Sequence, residues 1–173
     1  MAWEYLKTKE FDVRYAVAAA FLPEDKIILD LNCGEPNFRK FIKHKKYYAN
    51  DINDPDDITG VSFMHCKDDE VGGKKFKIND PIDFIVLFGY GGGEFTGEPL
   101  ESKTAGESLV RMANEYNPKG IIIEMAQKWQ TDFRTMTHLK IKLKKYKVVA
   151  KIEMNFGGVH YHNKRLMEVF KIK

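Results

Sequence analysis

The chain has 173 residues, the length of one ordinary domain and too short for two full ones. Apolar residues make up 43% and charged residues 31%, close to the average of soluble globular proteins, which argues against a disordered or fibrous chain. The 28 basic and 25 acidic side chains leave a net charge of +3, so charge alone does not indicate a nucleic-acid partner. We predict one packed domain over residues 1–173.

The cysteines and the N-terminus bear on metal binding and location. Cys33 and Cys66 lie far apart and have no CxxC partner or companion histidine at zinc spacing, so we expect reduced thiols and no metal site. Charges occur throughout the first ten residues, and no run of 18 apolar residues is present. These features predict a cytoplasmic protein without a membrane-spanning segment.

The first half of the chain predicts a helix and then alternating strands and loops. Apolar spacings of three and four residues predict a leading helix within residues 1–22, ending before Pro23. Pro36 fits the first turn of a second helix, which would carry the basic residues of 39–46 on its solvated side. Short apolar runs bounded by turn residues predict strands at 26–31, 47–51, 61–66 and 83–88.

The second half predicts two more helices and three more strands. The helices are expected at 103–116 and 131–146, and the strands at 121–125, 147–154 and 165–172. Only about ten residues separate the last two strands, too few for a parallel crossover, so they should form an antiparallel hairpin. The lysine-rich stretch 140–147 fits the solvated side of an amphipathic helix, and a phosphate-contacting role is the alternative.

The alternation of strands and helices predicts an α/β fold with three layers. We expect a doubly wound, mostly parallel sheet of seven strands that ends in an antiparallel C-terminal hairpin strand. In such folds ligands bind beyond the carboxyl ends of the strands, near the point where the strand order reverses.

Two segments carry a resemblance to a known family. The stretch 27–38 places Asp30 at the end of an apolar strand and a turn after it, and 48–52 places Asp51 at the end of the next strand. They resemble motifs I and II of the class I, Rossmann-like S-adenosylmethionine-dependent methyltransferases. The loop departs from the family's glycine-rich string, because Asn32 and Pro36 stand at two glycine positions and leave only Gly34.

The resemblance implies S-adenosylmethionine as cofactor and a set of binding residues. The backbone of 32–35 would approach the amino-acid part of the cofactor, where a Cβ would collide. Asp51 would accept hydrogen bonds from both ribose hydroxyls, its alternative being a turn cap, and Ile52 would pack beside the adenine. The candidate cofactor-binding residues are Asp30, Asn32, Cys33, Gly34, Asp51, Ile52, Asp68, Phe88 and Gly89.

Three of these positions have specific expected roles. Asp30 would orient the loop or the cofactor's ammonium group, with a purely structural role as the alternative, because an unpaired carboxylate in an apolar strand is costly. Asp68, or its neighbour Asp69, would hydrogen-bond the adenine amino group. Phe88 and Gly89 end the fourth strand, beside which the family places the transferred methyl group.

No motif identifies a catalytic residue. The weak candidates are Tyr90, which could stack on a planar substrate or sit near the sulfonium, and Glu124, His160 and His162, which with Tyr161 could act as a base. The alternatives are packing for Tyr90 and an ordinary surface loop for 160–162. His160 and His162 alone cannot complete a metal coordination sphere.

Three functions fit these observations to different degrees. The first is an S-adenosylmethionine-dependent methyltransferase whose acceptor is a small molecule, a protein or RNA. The second is a catalytically inactive binding or scaffold subunit with the methyltransferase fold, suggested by the depleted glycine loop. A dinucleotide-dependent oxidoreductase fits less well, because no GxGxxG string is present. The sequence leaves the acceptor and the oligomeric state open.

Overall fold

A seven-stranded sheet runs through the computed structural model, which describes residues 12–90, 99–126, 139–156 and 164–173. The described ranges contain α1 (Val13–Ala19) and α2 (Pro99–Tyr116), a further helical stretch at 139–142, and short 3₁₀ helices at Asn37–Phe41 and Asp68–Glu70. The strands are β1 (Lys26–Leu31), β2 (His44–Asp51), β3 (Ser62–His65), β4 (Phe84–Tyr90), β5 (Gly120–Ala126), β6 (Tyr146–Asn155) and β7 (Lys164–Ile172).

The order of the strands confirms the predicted fold class. The sheet runs β3-β2-β1-β4-β5-β7-β6, so the order reverses between β1 and β4. The first five strands pair in parallel, whereas β7 is antiparallel to both β5 and β6. The C-terminal hairpin is therefore confirmed, as the short connection required.

Apolar side chains cover both faces of the sheet, which explains why the central strands are continuous apolar runs. One face packs against α2 and residues 139–143, with Leu109, Met112 and Leu139 in its core. The other face packs against α1 and the first 3₁₀ helix, through Tyr15 and Phe38. The result is the expected three-layer arrangement, with β5 buried on both sides.

The helix predicted after Pro36 is wrong. A 3₁₀ helix of five residues, Asn37–Phe41, stands in its place, and β2 begins at His44, three residues earlier than predicted. Because β2 begins at His44, too few residues remain after Pro36 for a full α-helix. Arg39 is buried rather than solvated, because it donates hydrogen bonds to the carbonyls of Pro36 and Thr59 and pairs with Asp57.

The lysine-rich stretch 140–147 also differs from the prediction. Of this stretch, residues 140–142 are helical, residues 144–145 form a turn, and β6 begins at Tyr146. Of the other predicted helices, α1 occupies the described part of the leading helix and ends at Ala19, and residues 131–138 lie outside the described ranges. Within those ranges, no helix combines the length and the apolar character that crossing a membrane requires.

Candidate functional site

The loop that follows β1 is fixed to the end of β2 by hydrogen bonds that its backbone amides donate. Asn32 and Gly34 both adopt positive φ angles, 52° and 53°, which turn the chain sharply at the carboxyl edge of the sheet. The amide of Cys33 donates to the carbonyl oxygen of Asn50 at 2.9 Å. The amide of Gly34 donates to Oδ2 of Asp51 at 2.8 Å. The two motif residues on which the resemblance depends are thus in direct contact.

Open space lies beside Gly34. A Cβ built on this residue would meet no atom within 4 Å, so packing does not require glycine there. The positive φ does favour glycine, because a side chain is strained in that conformation. A backbone that is left uncovered at a strand end is the geometry needed for close approach of a ligand.

Asp51 also caps a turn. Its Oδ1 accepts hydrogen bonds from the backbone amide of Asn53 at 2.9 Å and from Nδ2 of Asn53 at 3.1 Å. The turn-cap alternative is therefore observed. It does not exclude contact with a ligand, because each carboxylate oxygen has two acceptor sites.

A buried polar network joins the ends of three strands through Asp68. Its Oδ2 accepts a hydrogen bond from Nδ2 of Asn32 at 2.7 Å, and its Oδ1 accepts one from Nδ2 of Asn50 at 3.1 Å. Burial raises the pKa of Asp68, against the lowering effect of these two donors. The network gives Asp68 a structural role and leaves the neighbouring Asp69 exposed.

Asp30 presents a buried oxygen without a partner. The hydroxyl of Tyr47 donates to its Oδ2 at 2.5 Å, whereas its Oδ1 is inaccessible to solvent and has no hydrogen-bond partner among the described residues. Burial raises the pKa of Asp30 to about 7, although the hydrogen bond from Tyr47 lowers it. Such an orphaned acceptor is rare in folded proteins and is a point at which a ligand donor would be stabilised.

Glu124 is held in a buried ion-pair cluster. It is completely buried, Arg165 donates to both of its oxygens, and Nη1 of Arg14 lies 3.7 Å from Oε2. The amide of Gly89, which has a φ of 74°, donates to the same Oε2 at 2.8 Å. Burial acts to raise the pKa of Glu124, but the two arginines outweigh it and lower the pKa. This environment favours a structural role over that of a catalytic base.

Sequence reasoning did not identify Arg14 or Tyr15 as part of this region. The guanidinium of Arg14 donates to the hydroxyl of Tyr15 at 2.6 Å and lies 5.9 Å from the ring centroid of Phe88. The Tyr15 and Phe88 rings meet edge to face at 4.9 Å. One signal was available in the sequence, because Arg14 lies four residues before Ala18, on the apolar stripe of the helix.

The structure gives less information on the remaining candidate site residues. Ile52 is 56% exposed at the end of β2, and Cys33 is partly buried, with burial as the main cause that raises its pKa. Tyr90 is the last residue of β4, whereas His160, Tyr161 and His162 lie outside the described residues. Across the ranges that the structure describes, no group of three His, Cys, Asp or Glu side chains could hold a metal ion.

Comparison with known proteins gives matches in structure and none in sequence. No protein-family model and no curated protein matches the chain. The N-methyltransferase NodS from Bradyrhizobium japonicum, solved with S-adenosylhomocysteine, is 15% identical, with a TM-score of 0.68 over 98% of this chain and 91% of that one. A 1,6-didemethyltoxoflavin-N1-methyltransferase from Burkholderia thailandensis, also solved with S-adenosylhomocysteine, is 13% identical, with a TM-score of 0.69 over 98% and 81%.

A third similar structure is the glycopeptide N-methyltransferase MtfA. It is 8% identical to this chain and has a TM-score of 0.61 over 96% of this chain and 92% of its own. At these identities the likeness concerns the fold. The chain has the Rossmann-like fold of the class I methyltransferases.

Proposed function

We propose that this chain, which has the methyltransferase fold, binds S-adenosylmethionine between the 32–35 loop and the end of β2 and is an S-adenosylmethionine-dependent methyltransferase. The observation that carries the proposal is the hydrogen bond between Gly34 and Asp51. It brings an uncovered backbone bend and a carboxylate together at the strand edge where such folds bind ligands. Solved structures of similar fold contain S-adenosylhomocysteine, which supports this choice of cofactor.

The residues present fit the chemical groups of that cofactor. The free oxygen of Asp30 can accept a hydrogen bond from an ammonium group, which would also favour the ionised carboxylate. The one acceptor site left on Asp51, at Oδ2, suits a ribose hydroxyl, and the exposed Ile52 offers an apolar surface for adenine. Gly34 leaves room for the backbone to approach the methionine part.

The cofactor would supply an electrophilic methyl group on a sulfonium, which leaves positioning as the main task of the protein. Phe88, packed between Tyr15 and Phe38, gives the end of β4 a rigid aromatic surface beside the expected position of that group. Aromatic faces attract a positive sulfonium. Among the described residues, the structure favours no base, and the acceptor stays open between a small molecule, a protein and RNA.

A binding or scaffold subunit without catalytic activity is the second candidate function. One observation favours it, since both oxygens of Asp51 already accept hydrogen bonds from the protein's own amides. A subunit that had lost its cofactor would be expected to satisfy this carboxylate internally in the same way.

Calorimetric titration separates the candidates. We expect S-adenosylmethionine and S-adenosylhomocysteine to bind with micromolar dissociation constants, about −8 kcal/mol, and NAD not to bind. Binding of NAD alone would support an oxidoreductase. Circular dichroism establishes that the protein is folded. If none of the three ligands then gives heat, the result would contradict the methyltransferase proposal and support the scaffold hypothesis.

A further inference from the structure

Four exposed lysines meet at one corner of the sheet, far from the candidate cofactor site. Lys144 and Lys145 form the turn before β6, Lys147 is the second residue of β6, and Lys171 lies near the end of β7. We call this group the lysine corner. The amide of Lys173 donates to the carbonyl of Lys145 at 2.9 Å, which fixes the turn to the end of β7.

Lys147 and Lys171 are directly opposite each other in the antiparallel pair of β6 and β7. Opposed side chains in such a pair have Cβ atoms about 5 Å apart, and like charges at that position destabilise the sheet. Acidic residues are absent from 140–152, a stretch of sequence that contains six lysines. The fold therefore concentrates positive charge at this corner although the net charge is low.

The lysines of the corner differ from neighbouring lysines in lacking acidic partners. Lys119 pairs with Asp83 at 2.8 Å, Lys140 with Glu168 at 2.7 Å, and Lys151 with Glu153 at 3.5 Å. Over the part of the chain that is described, none of the four lysines of the corner forms an ion pair. Their charge is available to an external anion.

The alternation of the strands places two exposed apolar side chains on the face opposite to the paired lysines. Lys171 lies on the same face as Val169, on the α1 side of the sheet, and Lys147 shares that face through its pairing with Lys171. Val148 and Ile172, which are 39% and 41% exposed, alternate onto the opposite face. Val149, which is 43% exposed, lies at the bulge of β6 next to these residues, so the argument for a polyanion depends on the closely spaced lysines that have no acidic partner.

We propose that the lysine corner binds the phosphate backbone of a nucleic acid. Lysines contact phosphates as point charges and without reading sequence, and closely spaced lysines match a chain that carries a charge on every nucleotide. β6 is ten residues long, so the corner at its start lies about 30 Å from the edge where β6 ends. The contact therefore holds a nucleic acid at a distance from the proposed cofactor site between the 32–35 loop and the end of β2.

The test is fluorescence anisotropy with the full chain and labelled oligonucleotides of about 20 nucleotides, as single-stranded and duplex RNA and DNA. No methyl donor is added, so the result is independent of the proposed enzymatic function. We expect affinity to fall steeply between about 50 and 200 mM salt. The four probes distinguish RNA from DNA and single strands from duplexes.

Two double variants locate the contact. K147Q/K171Q and K144Q/K145Q should each weaken binding about tenfold and lower the slope of log affinity against log salt by about 2. K74Q/K77Q removes the same formal charge from two exposed lysines between β3 and β4 and should leave binding nearly unchanged. Removal of the opposed pair should also preserve or raise the Tm, which separates lost contact from lost folding.

Several outcomes would overturn the proposal. One is the absence of binding to all four probes at low salt. A second is equal weakening by the K74Q/K77Q control, which would indicate a general charge effect. A third is tighter binding to polyglutamate or to phosphatidylserine vesicles than to any oligonucleotide, which would assign the corner to an acidic polypeptide or a membrane surface.

Discussion

The hydroxyl of Tyr47 on β2 donates a hydrogen bond to Oδ2 of Asp30 on the adjacent strand, at 2.5 Å, and both side chains are buried. The other oxygen of Asp30 has no partner among the described residues. This arrangement places a half-satisfied carboxylate under the loop that the proposed cofactor would contact. It makes the protonation state of Asp30 a property that can be measured.

Asp30 should make the free energy of unfolding depend on pH. Burial raises its pKa from 3.8 to about 7, so the folded chain holds this proton more tightly than the unfolded chain. The contribution of Asp30 to stability is therefore complete below about pH 4 and is lost as the pH rises to about 7. The slope is at most about 1.4 kcal/mol per pH unit.

Urea unfolding of the wild type and Asp30→Asn from pH 4 to 8 measures this contribution, because the difference between them isolates one group. Asparagine can still accept the hydrogen bond from Tyr47. We expect the wild type to lose stability relative to Asp30→Asn as the pH rises from about 4 to about 7. A constant difference across the whole range would show that the pKa of Asp30 is not raised in the folded chain.

Removing the Asp51 carboxylate should weaken cofactor binding and loosen the loop. Asp51→Ala deletes the acceptor for the amides of Gly34 and Asn53, and we expect the affinity for S-adenosylmethionine to fall by about 1–3 kcal/mol. Calorimetry measures the affinity, and a thermal melt without ligand measures the structural part. Glu107→Ala, on the exposed side of α2, is the control. A lower Tm with unchanged affinity would reduce Asp51 to a turn cap.

The Glu124 cluster should be important for stability. Glu124→Gln removes the charge that neutralises two buried arginines, and breaking a buried ion pair on one side costs about 3–5 kcal/mol. Chemical denaturation measures the loss. Glu115→Gln, which breaks an exposed pair with Arg111, should change stability by less than about 1 kcal/mol. A stable Glu124→Gln protein that binds cofactor but does not turn over would instead support Glu124 as a base.

The sequence predicted best those elements that depend on the residues of a single short segment. β1 was predicted at its observed bounds, because a strand buried on both faces is a continuous apolar run between turn residues. The antiparallel hairpin followed from a short connection. The segment after Pro36 was wrong, because the extent of β2 depends on its pairing with β1, and that pairing is a tertiary contact.

The buried polar contacts of the site could not be predicted from the sequence, because they too depend on tertiary structure. In the sequence alone, Arg14 and Glu124 look like surface residues or reactive groups. In the structure, Glu124 pairs with Arg14 and Arg165, which come from opposite ends of the chain. Asn50 gave no signal of its own, although its side chain donates to Asp68 inside the network. The family resemblance pointed to Gly34 and Asp51, whose contact is observed, and their role in cofactor binding stays a prediction.

Gly34 supplies the most direct test of the proposed site. In Gly34→Ala the new methyl group meets no protein atom within 4 Å, so the cost to stability comes only from the positive φ and should be about 1 kcal/mol. The same methyl group would stand in the space that the proposed cofactor requires. We therefore expect a folded protein whose affinity for S-adenosylmethionine falls by more than about tenfold, or about 1.4 kcal/mol.

Gly60→Ala is a matched control for this substitution. Gly60 also has a positive φ, 73°, and open space where its Cβ would lie, but it belongs to the connection between β2 and β3. Both variants should lose similar stability in thermal melts, and only Gly34→Ala should lose binding in the calorimeter. Equal affinities in the two variants would mean that the loop after β1 does not approach the ligand, because strain alone acts equally on both.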